Sequence, residues 1–294
     1  MHNEIRNRKI LVTGGLGFVG SHLVDSLVKN NHVTVVDDLS TGRIENINMH
    51  AVTHIETVEE FFKKDRNVEY DIIFHFANSA RIARSFEYCQ DTLLNNYNTT
   101  VGICEYIKRK NPKAKLIFAS SSTTEFADRF NNPYTFSKVV CDELLQLYKT
   151  HFNLNFDVVK FYNVFGSDRE NLLGDYTTIV RKFMNCVETG EMLTVYGTGA
   201  QMRDFTYIQD TVQALHIIGN LPSEGKVYHI GTGKVTQIME IVLAFRHKYY
   251  HAKPRSYEVP YVVCKEPNVP GWSTTINVVD WITEWRQSNG IRQG

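Results

Sequence analysis

Residues 10–20, Ile10-Leu11-Val12-Thr13-Gly14-Gly15-Leu16-Gly17-Phe18-Val19-Gly20, pass from an apolar run into a glycine-rich turn and then into a helical pattern. Residues 10–13 read as a strand, and a helix is expected from about residue 20 to 29. Gly14, Gly17 and Gly20 meet three needs at such a junction: a tight turn, close backbone approach to a pyrophosphate, and tight helix–strand packing. The helix N-terminus then offers free N–H groups to phosphate oxygens. Turns use glycine widely, so the cluster gains its force from its place between strand and helix.

Outward from this turn, short apolar runs alternate with helical patterns. Strands are expected at 32–37 (HVTVVD), 71–77 (DIIFHFA), 115–120 (KLIFAS) and 156–161 (FDVVKF), and long helices at 91–110 and 136–151. Strands alternating with helices imply parallel pairing through right-handed crossovers. Both faces of such a sheet are covered, which explains strands that are almost wholly apolar. The fold class is therefore α/β, a doubly wound parallel sheet. After Gly166 the pattern loosens: glycines cluster at 190, 197, 199, 225, 231 and 233, and prolines at 254, 260, 267 and 270. A smaller, loop-rich lobe is expected there. No internal repeat or low-complexity stretch interrupts the chain.

The 294 residues, 43% of them hydrophobic, suffice for one large α/β domain or a domain with a smaller lobe. Acidic and basic residues balance at 32 each, which argues against nucleic acid or an anionic membrane as partner. The five cysteines (89, 104, 141, 186, 264) form no CxxC pair and no zinc-ligand spacing with histidine, so reduced thiols and no metal are expected. The charged N-terminus runs into a strand too short for a signal segment, and no apolar run approaches membrane-spanning length, so a cytoplasmic protein is expected.

Asp37 ends the second expected strand, where its carboxylate can accept hydrogen bonds from ribose hydroxyls. That favours NAD over NADP, whose 2′-phosphate it would repel, although Arg43 is a base that could hold such a phosphate. The bland reading of Asp37 and Asp38 is a turn after a strand, and the cofactor role is favoured over it. Tyr134 and Lys138 form a Y-x-x-x-K pair, placed on one helix face by their i, i+4 spacing, with Pro133 in the first turn. A neighbouring ammonium lowers a phenol that otherwise titrates near 10 and makes it a usable base. Ser120, Ser121 and Ser122 follow a strand, where open α/β sheets bind ligands. Alone, the pair is a surface helix and the serines a polar loop; in this order they read as a site.

These motifs resemble the extended short-chain dehydrogenase/reductase family of NAD-dependent nucleotide-sugar epimerases and dehydratases. The resemblance rests on TGGLGFVG (13–20), VVDDLSTG (35–42), HFA (75–77), ASSS (119–122), YTFSK (134–138), FYNVFG (161–166) and QMRDFTYIQD (201–210), in family order over nearly the whole chain. It implies a Rossmann-type NAD domain at 1–165, rejoined by about 203–230, and a reduced substrate lobe at 166–202 and 231–294. It implies Ser121, Tyr134 and Lys138 as catalytic residues, with Asn96 supporting the lysine. It implies cofactor contacts from Gly14, Gly17, Phe18, Val19, Gly20, Asp37, Asp38, Ser40, Ala77, Asn96, Tyr134, Lys138 and Tyr162. The substrate, a UDP-sugar, would meet Ser121, Ser122, Thr123, Asn163 and Arg203, the last two at its diphosphate. The family's dimer surface falls on the two long helices, which implies a homodimer.

Dehydratases and decarboxylases of the family place acids just after the catalytic hydroxyl. Here Ser122 and Thr123 stand there, and Glu125 falls two residues too late. The resemblance thus favours a 4-epimerase of the UDP-glucose or UDP-glucuronate type, which needs only transient oxidation at C4, rotation of the 4-keto sugar and hydride return. The alternatives are a 4,6-dehydratase, a decarboxylase, a 4-keto reductase or a non-catalytic NAD-binding relative. The chain departs from the family in Thr124-Glu125-Phe126, where Val-Tyr-Gly is usual, and lacks the family's adenine-contacting Asp near Thr57. The segment before Pro270-Gly271-Trp272 reads as shortened, with the family's Arg-x-Gly-Asp lost and Lys265 the expected stand-in for its arginine.

Overall fold

The computed structural model describes residues 4–64, 68–172 and 177–291. Its strands are β1 (Lys9–Thr13), β2 (His32–Asp37), β3 (Val52–Ile55), β4 (Ile72–His75), β5 (Lys115–Ser121), β6 (Phe156–Phe161), β7 (Val164–Phe165), β8 (Leu193–Tyr196), β9 (Met202–Arg203), β10 (Thr206–Tyr207), β11 (Val227–Ile230), β12 (Thr236–Gln237), β13 (Tyr249–Ala252) and β14 (Tyr261–Val262). Its helices are α1 (Phe18–Leu27), α2 (Val58–Lys63), α3 (Ile82–Glu87), α4 (Cys89–Lys110), α5 (Thr123–Phe126), α6 (Pro133–Phe152), α7 (Ile179–Thr189), α8 (Ile208–Asn220), α9 (Ile238–Phe245) and α10 (Val278–Ser288).

Seven strands form one sheet in the order β11-β6-β5-β4-β1-β2-β3, with every pair parallel. Alternate residues of each strand feed two cores. Ile10 and Val12 pack with Leu23 and Leu27 of α1 and Leu215 and Ile218 of α8 on one face. Leu11 packs with Ile103 and Ile107 of α4 and Cys141 and Leu145 of α6 on the other. This is the doubly wound Rossmann arrangement. Its strand order reverses between β1 and β4, and the crevice at that switch point is where such sheets bind ligands.

Two of the sheet's strands carry little sequence signal. β3 is four residues long at an edge, with its ends exposed. β11 joins the opposite edge from far along the chain, beside β6. The first helix begins at Phe18, two residues before the expected start, because Gly17 is its extended N-cap. The long helix around Tyr134 begins at Pro133, and Asn132 caps it by accepting the Thr135 N–H at 2.8 Å. Residues 165–172 and 177–285 are less loop-like than their glycines and prolines suggest. Phe183 of α7, Leu193 and Val195 of β8, Ile241 and Phe245 of α9 and Ile282 of α10 build a further core with Phe165 and Phe205. β9, which carries Arg203, lies between β12 and β14. Among the described residues, no helix is long and apolar enough to cross a membrane.

His75 closes β4 fully buried, its Nδ1 2.7 Å from the Thr13 hydroxyl of β1. Burial, with Lys138 nearby, pushes this imidazole down to about 3. The folded value lies below the unfolded one of about 6.5, so the unfolded chain takes up a proton that the folded chain refuses. The resulting loss of stability begins as pH falls through about 6.5 and continues toward about 3. Wild-type protein should therefore lose about 2 kcal/mol more unfolding free energy between pH 7 and pH 5 than His75→Gln, by urea denaturation. Equal pH slopes for the two would contradict a neutral, buried His75.

Candidate active site

A cavity of about 550 Å³ opens at the switch point, between the carboxyl ends of the sheet strands and the core around Phe183. That volume is typical of a small-molecule site. Its wall includes Gly14, Gly17, Phe18, Val19 and Gly20 from the first turn, and Ser121, Ser122 and Thr123 from the end of β5. Tyr134 and Lys138 enter from α6, and Asn163 and Arg203 from the far side. The structure thus gathers into one space most of the residues singled out in the sequence. Asp37, Asp38, Ser40, Ala77, Asn96 and Tyr162 lie outside this lining.

At the glycine end, the backbone comes closer than any side chain would permit. Gly14 has φ +70°, and a Cβ there would lie 2.7 Å from the Ala77 nitrogen. A Cβ on Gly20 would lie 2.2 Å from the Gly14 carbonyl oxygen. No side chain caps α1, so its first-turn N–H groups point toward the cavity mouth without a capping acceptor. A dinucleotide's pyrophosphate fits this cradle. Asp37 sits behind the turn, its carboxylate accepting the Leu16 and Leu39 N–H groups at 2.9 Å each. Burial pushes the carboxyl up, and those two N–H groups pull it back. Asp38 accepts the Ser40 N–H at 2.9 Å. Arg43, the base that could have held a 2′-phosphate, donates to the Asp168 carbonyl at 2.9 Å and pairs with Glu45 at 3.4 Å.

At the α6 end, Tyr134 is buried and its backbone N–H donates to Ser85 Oγ at 3.2 Å. Burial pushes the phenol up, while a hydrogen bond with Ser121 and the charge of Arg81 pull it down. Lys138 stands one turn further along α6, and among the described residues no direct hydrogen bond joins it to the phenol. The ammonium instead donates to Asn78 Oδ1 at 2.6 Å and to the Ala119 carbonyl at 2.7 Å. Burial pushes Lys138 itself down to about 8. Asn96 is fully buried and does not reach the lysine directly. Its amide accepts the Ser79 N–H at 2.7 Å and donates to Ser137 Oγ at 2.8 Å, tying the loop after β4 to α6 beside Lys138. Ser121 Oγ lies 3.0 Å from Thr123 Oγ1. Glu125 pairs with Lys160 outside the cavity lining.

On the far side, Asn163 donates to the Asp204 carbonyl at 2.8 Å. The Asp204 carboxylate is fully buried and gathers the N–H groups of Thr232, Gly233 and Cys264, which anchors the strand carrying Arg203. Arg203 pairs with Glu258 at 3.1 Å, and Glu258 also accepts from Gln201 at 3.2 Å. Lys265 stands over the Phe126 ring at 6.0 Å and is absent from the cavity wall. Arg255 does reach the wall, its guanidinium 3.8 Å over Tyr196. Arg255 and Glu258 keep the cation-to-acid spacing of Arg-x-Gly-Asp, with Ser256 and Tyr257 between them. The signal overlooked in the sequence was this spacing without its glycine.

Tyr162 also departs from its expected place. It is 1% exposed, packs with Val262 and Cys264, and its hydroxyl lies 3.1 Å from His229 Nδ1. The strand alternation turns Phe161, not Tyr162, to the cavity. Among the wall residues that sequence reasoning passed over are Asn78, Arg81 and Glu170. Glu170 is 3% exposed and accepts the Thr178 N–H and hydroxyl at 2.7 and 2.6 Å. None of the three sits in a recurring pattern that periodicity could expose.

A model of the NAD dependent epimerase/dehydratase family matches residues 10–231. The chain is 30% identical to a Methanocaldococcus jannaschii protein provisionally assigned as a UDP-glucose 4-epimerase, over 95% of this chain and 99% of that one. It is 27% identical to a UDP-N-acetyl-α-D-glucosaminuronate decarboxylase of Bacillus cytotoxicus, over 86% and 84% of the two chains. The crystal structure of UDP-glucose 4-epimerase from Thermotoga maritima with UDP-glucose superposes with a TM-score of 0.85 at 25% identity, covering 96% of this chain and 99% of that one. UDP-glucose 4-epimerase of Thermus thermophilus, solved with NAD, gives 0.82 at 25% identity over 94% and 96%. A glycine cradle and a Ser-Tyr-Lys cluster share one cavity, and the family match runs from β1 to β11: the chain belongs to the NAD-dependent epimerase/dehydratase family.

Proposed function

We propose that the chain is an NAD-dependent nucleotide-sugar 4-epimerase acting on a UDP-sugar of the glucose or glucuronate type. The observation that carries this reading is the hydroxyl-lined wall beside Tyr134. Ser121, Ser122 and Thr123 line it, and the one acid nearby in sequence, Glu125, is turned to Lys160. Elimination and decarboxylation in the family use an acid at the positions held here by Ser122 and Thr123. Among the described residues, the two carboxylates in the wall are held elsewhere, Glu170 by Thr178 and Glu258 by Arg203 and Gln201.

The geometry supports the following roles. The glycine cradle and Asp37 would hold NAD, which would supply the acceptor and donor of the C4 hydrogen. Tyr134 takes the proton from the C4 hydroxyl and gives it back after the 4-keto sugar has turned over. Ser121, which pulls that phenol down from its buried value, steadies the proton in transit. Lys138 holds positive charge at the buried end of the site. Arg203 and Arg255 take the diphosphate, with Asn163 beside them, and a planar guanidinium suits that role. Residues 166–202 and 231–294 form the substrate lobe around it. The free cysteines, four of five buried, support the expectation of a reducing cytoplasm.

The test is to incubate purified protein with UDP-glucose, UDP-glucuronate and their N-acetyl forms, without reductant, and follow the products by NMR and mass. Axial–equatorial interconversion at C4 with unchanged mass is expected, and Tyr134→Phe should lower it by at least about 100-fold while NAD stays bound. Loss of water or CO2 would move the chain to the dehydratase or decarboxylase branch.

The same reading includes a homodimer through α4 and α6. Leu94 and Tyr97 of α4 and Leu147 and Phe152 of α6 are large apolar side chains left exposed. Pairing two such helix pairs buries them in a four-helix bundle. Sedimentation should give a dimer, and Leu94→Glu with Leu147→Glu should give a folded monomer. A monomeric wild type would contradict the proposal.

A further inference from the structure

Resting on the assignment of Tyr134 and Lys138 above, we propose that Asn78 is a positioning residue that holds the Lys138 ammonium through a chain of hydrogen bonds reaching the first strand of the sheet. Lys138 is 2% exposed, so protein groups must replace water around its charge. The acceptors it has are Asn78 Oδ1 at 2.6 Å and the Ala119 carbonyl at 2.7 Å. On its other side, Asn78 Nδ2 lies 3.0 Å from His75 Nε2, and His75 Nδ1 lies 2.7 Å from Thr13 Oγ1.

Each link fixes the next. The ammonium has only donors, so the amide must turn its oxygen to Lys138 and its NH2 to His75. His75 Nε2 must then accept, which assigns the ring proton to Nδ1 and the donated bond to the Thr13 hydroxyl. This needs a neutral imidazole, which burial secures. A flipped amide would set NH2 against NH3⁺, and a protonated His75 would set N–H against NH2. The asparagine is therefore locked in the one orientation that presents an acceptor to the lysine.

The other groups around Lys138 do not substitute for this contact. Cys141 and Asp142, on α6 itself, favour its charge from a distance, and the Asp142 carboxylate is engaged in accepting from Ser120 at 2.9 Å. From β5 the Phe118 ring faces the ammonium at 5.0 Å, and from β4 comes only neutral His75. Tyr134, one turn back on α6, is faced by Ser121 and Arg81. Without Asn78, the Ala119 carbonyl is left to hold the ammonium, and the charged lysine becomes harder to keep.

The direct readout is the titration of Lys138, followed by NMR of protein labelled at lysine 13Cε, with the signal assigned by its loss in Lys138→Met. Asn78→Leu should lower the Lys138 midpoint by about one pH unit or more, and Asn78→Asp should raise it by a similar amount. On whichever sugar nucleotide the wild type turns over, Asn78→Leu should lower kcat about tenfold with KM changed less than about threefold, and the alkaline limb of the profile should move to lower pH. If Asn78→Leu does not fold, the upward shift in Asn78→Asp carries the test. Midpoints that stay within about 0.3 unit of wild type in the folded variants would overturn the proposal, because a merely structural asparagine alters stability without moving this titration. A shifted midpoint in a protein that epimerises no sugar would leave the positioning role standing and remove the epimerase reading.

Discussion

The distance of 2.2 Å between a Cβ built on Gly20 and the Gly14 carbonyl oxygen is the constraint on which this structure turns. Only glycine lets α1 start so close to the end of β1. That approach sets the helix N-terminus at the crevice between β1 and β4 and leaves its first N–H groups without a side-chain cap. The same crevice is where α6, rising from Asn132 and Pro133, brings Tyr134 and Lys138. The cofactor cradle and the reacting groups therefore meet because one turn is tight and one helix is capped, and the core around Phe183 then closes the space from the far side.

Burial sets the electrostatics of the meeting point. Lys138 is pushed down to about 8, Tyr134 is pushed up, and neither is rescued by a direct carboxylate partner. Neutral acceptors hold the lysine, while a serine hydroxyl and Arg81 act on the phenol. The tyrosine–lysine relation read from the i, i+4 spacing holds as proximity on one helix face.

What could be read from the sequence was whatever obeys a local rule. The glycine turn, the five central strands and the two long helices follow from periodicity and turn chemistry within a few residues. β3 and β11 did not, since an exposed four-residue edge and a strand that joins from 66 residues beyond β6 are set by tertiary pairing. The site divides in the same way. Ser121, Tyr134, Lys138 and Arg203 sit in motifs and do line the cavity. Tyr162 packs its ring with Val262 and Cys264, and the neighbouring Phe161 lines the cavity. Lys265 was chosen for its charge, whereas Arg255 and Glu258 reach the wall because the chain folds back beside Tyr196 and Arg203. Asn78 carries no motif, and its meaning depends on three residues that the fold brings to it from β1, β4 and α6.

The central claim is that hydrogen leaves C4 of a UDP-sugar and returns to the opposite face of the same carbon. A UDP-sugar carrying deuterium at C4, incubated in ordinary water with the NAD-loaded protein, tests it most directly. The account predicts inverted product that keeps its deuterium at C4 and its mass. Deuterium lost to solvent, or a product lighter by water or CO2, would contradict it.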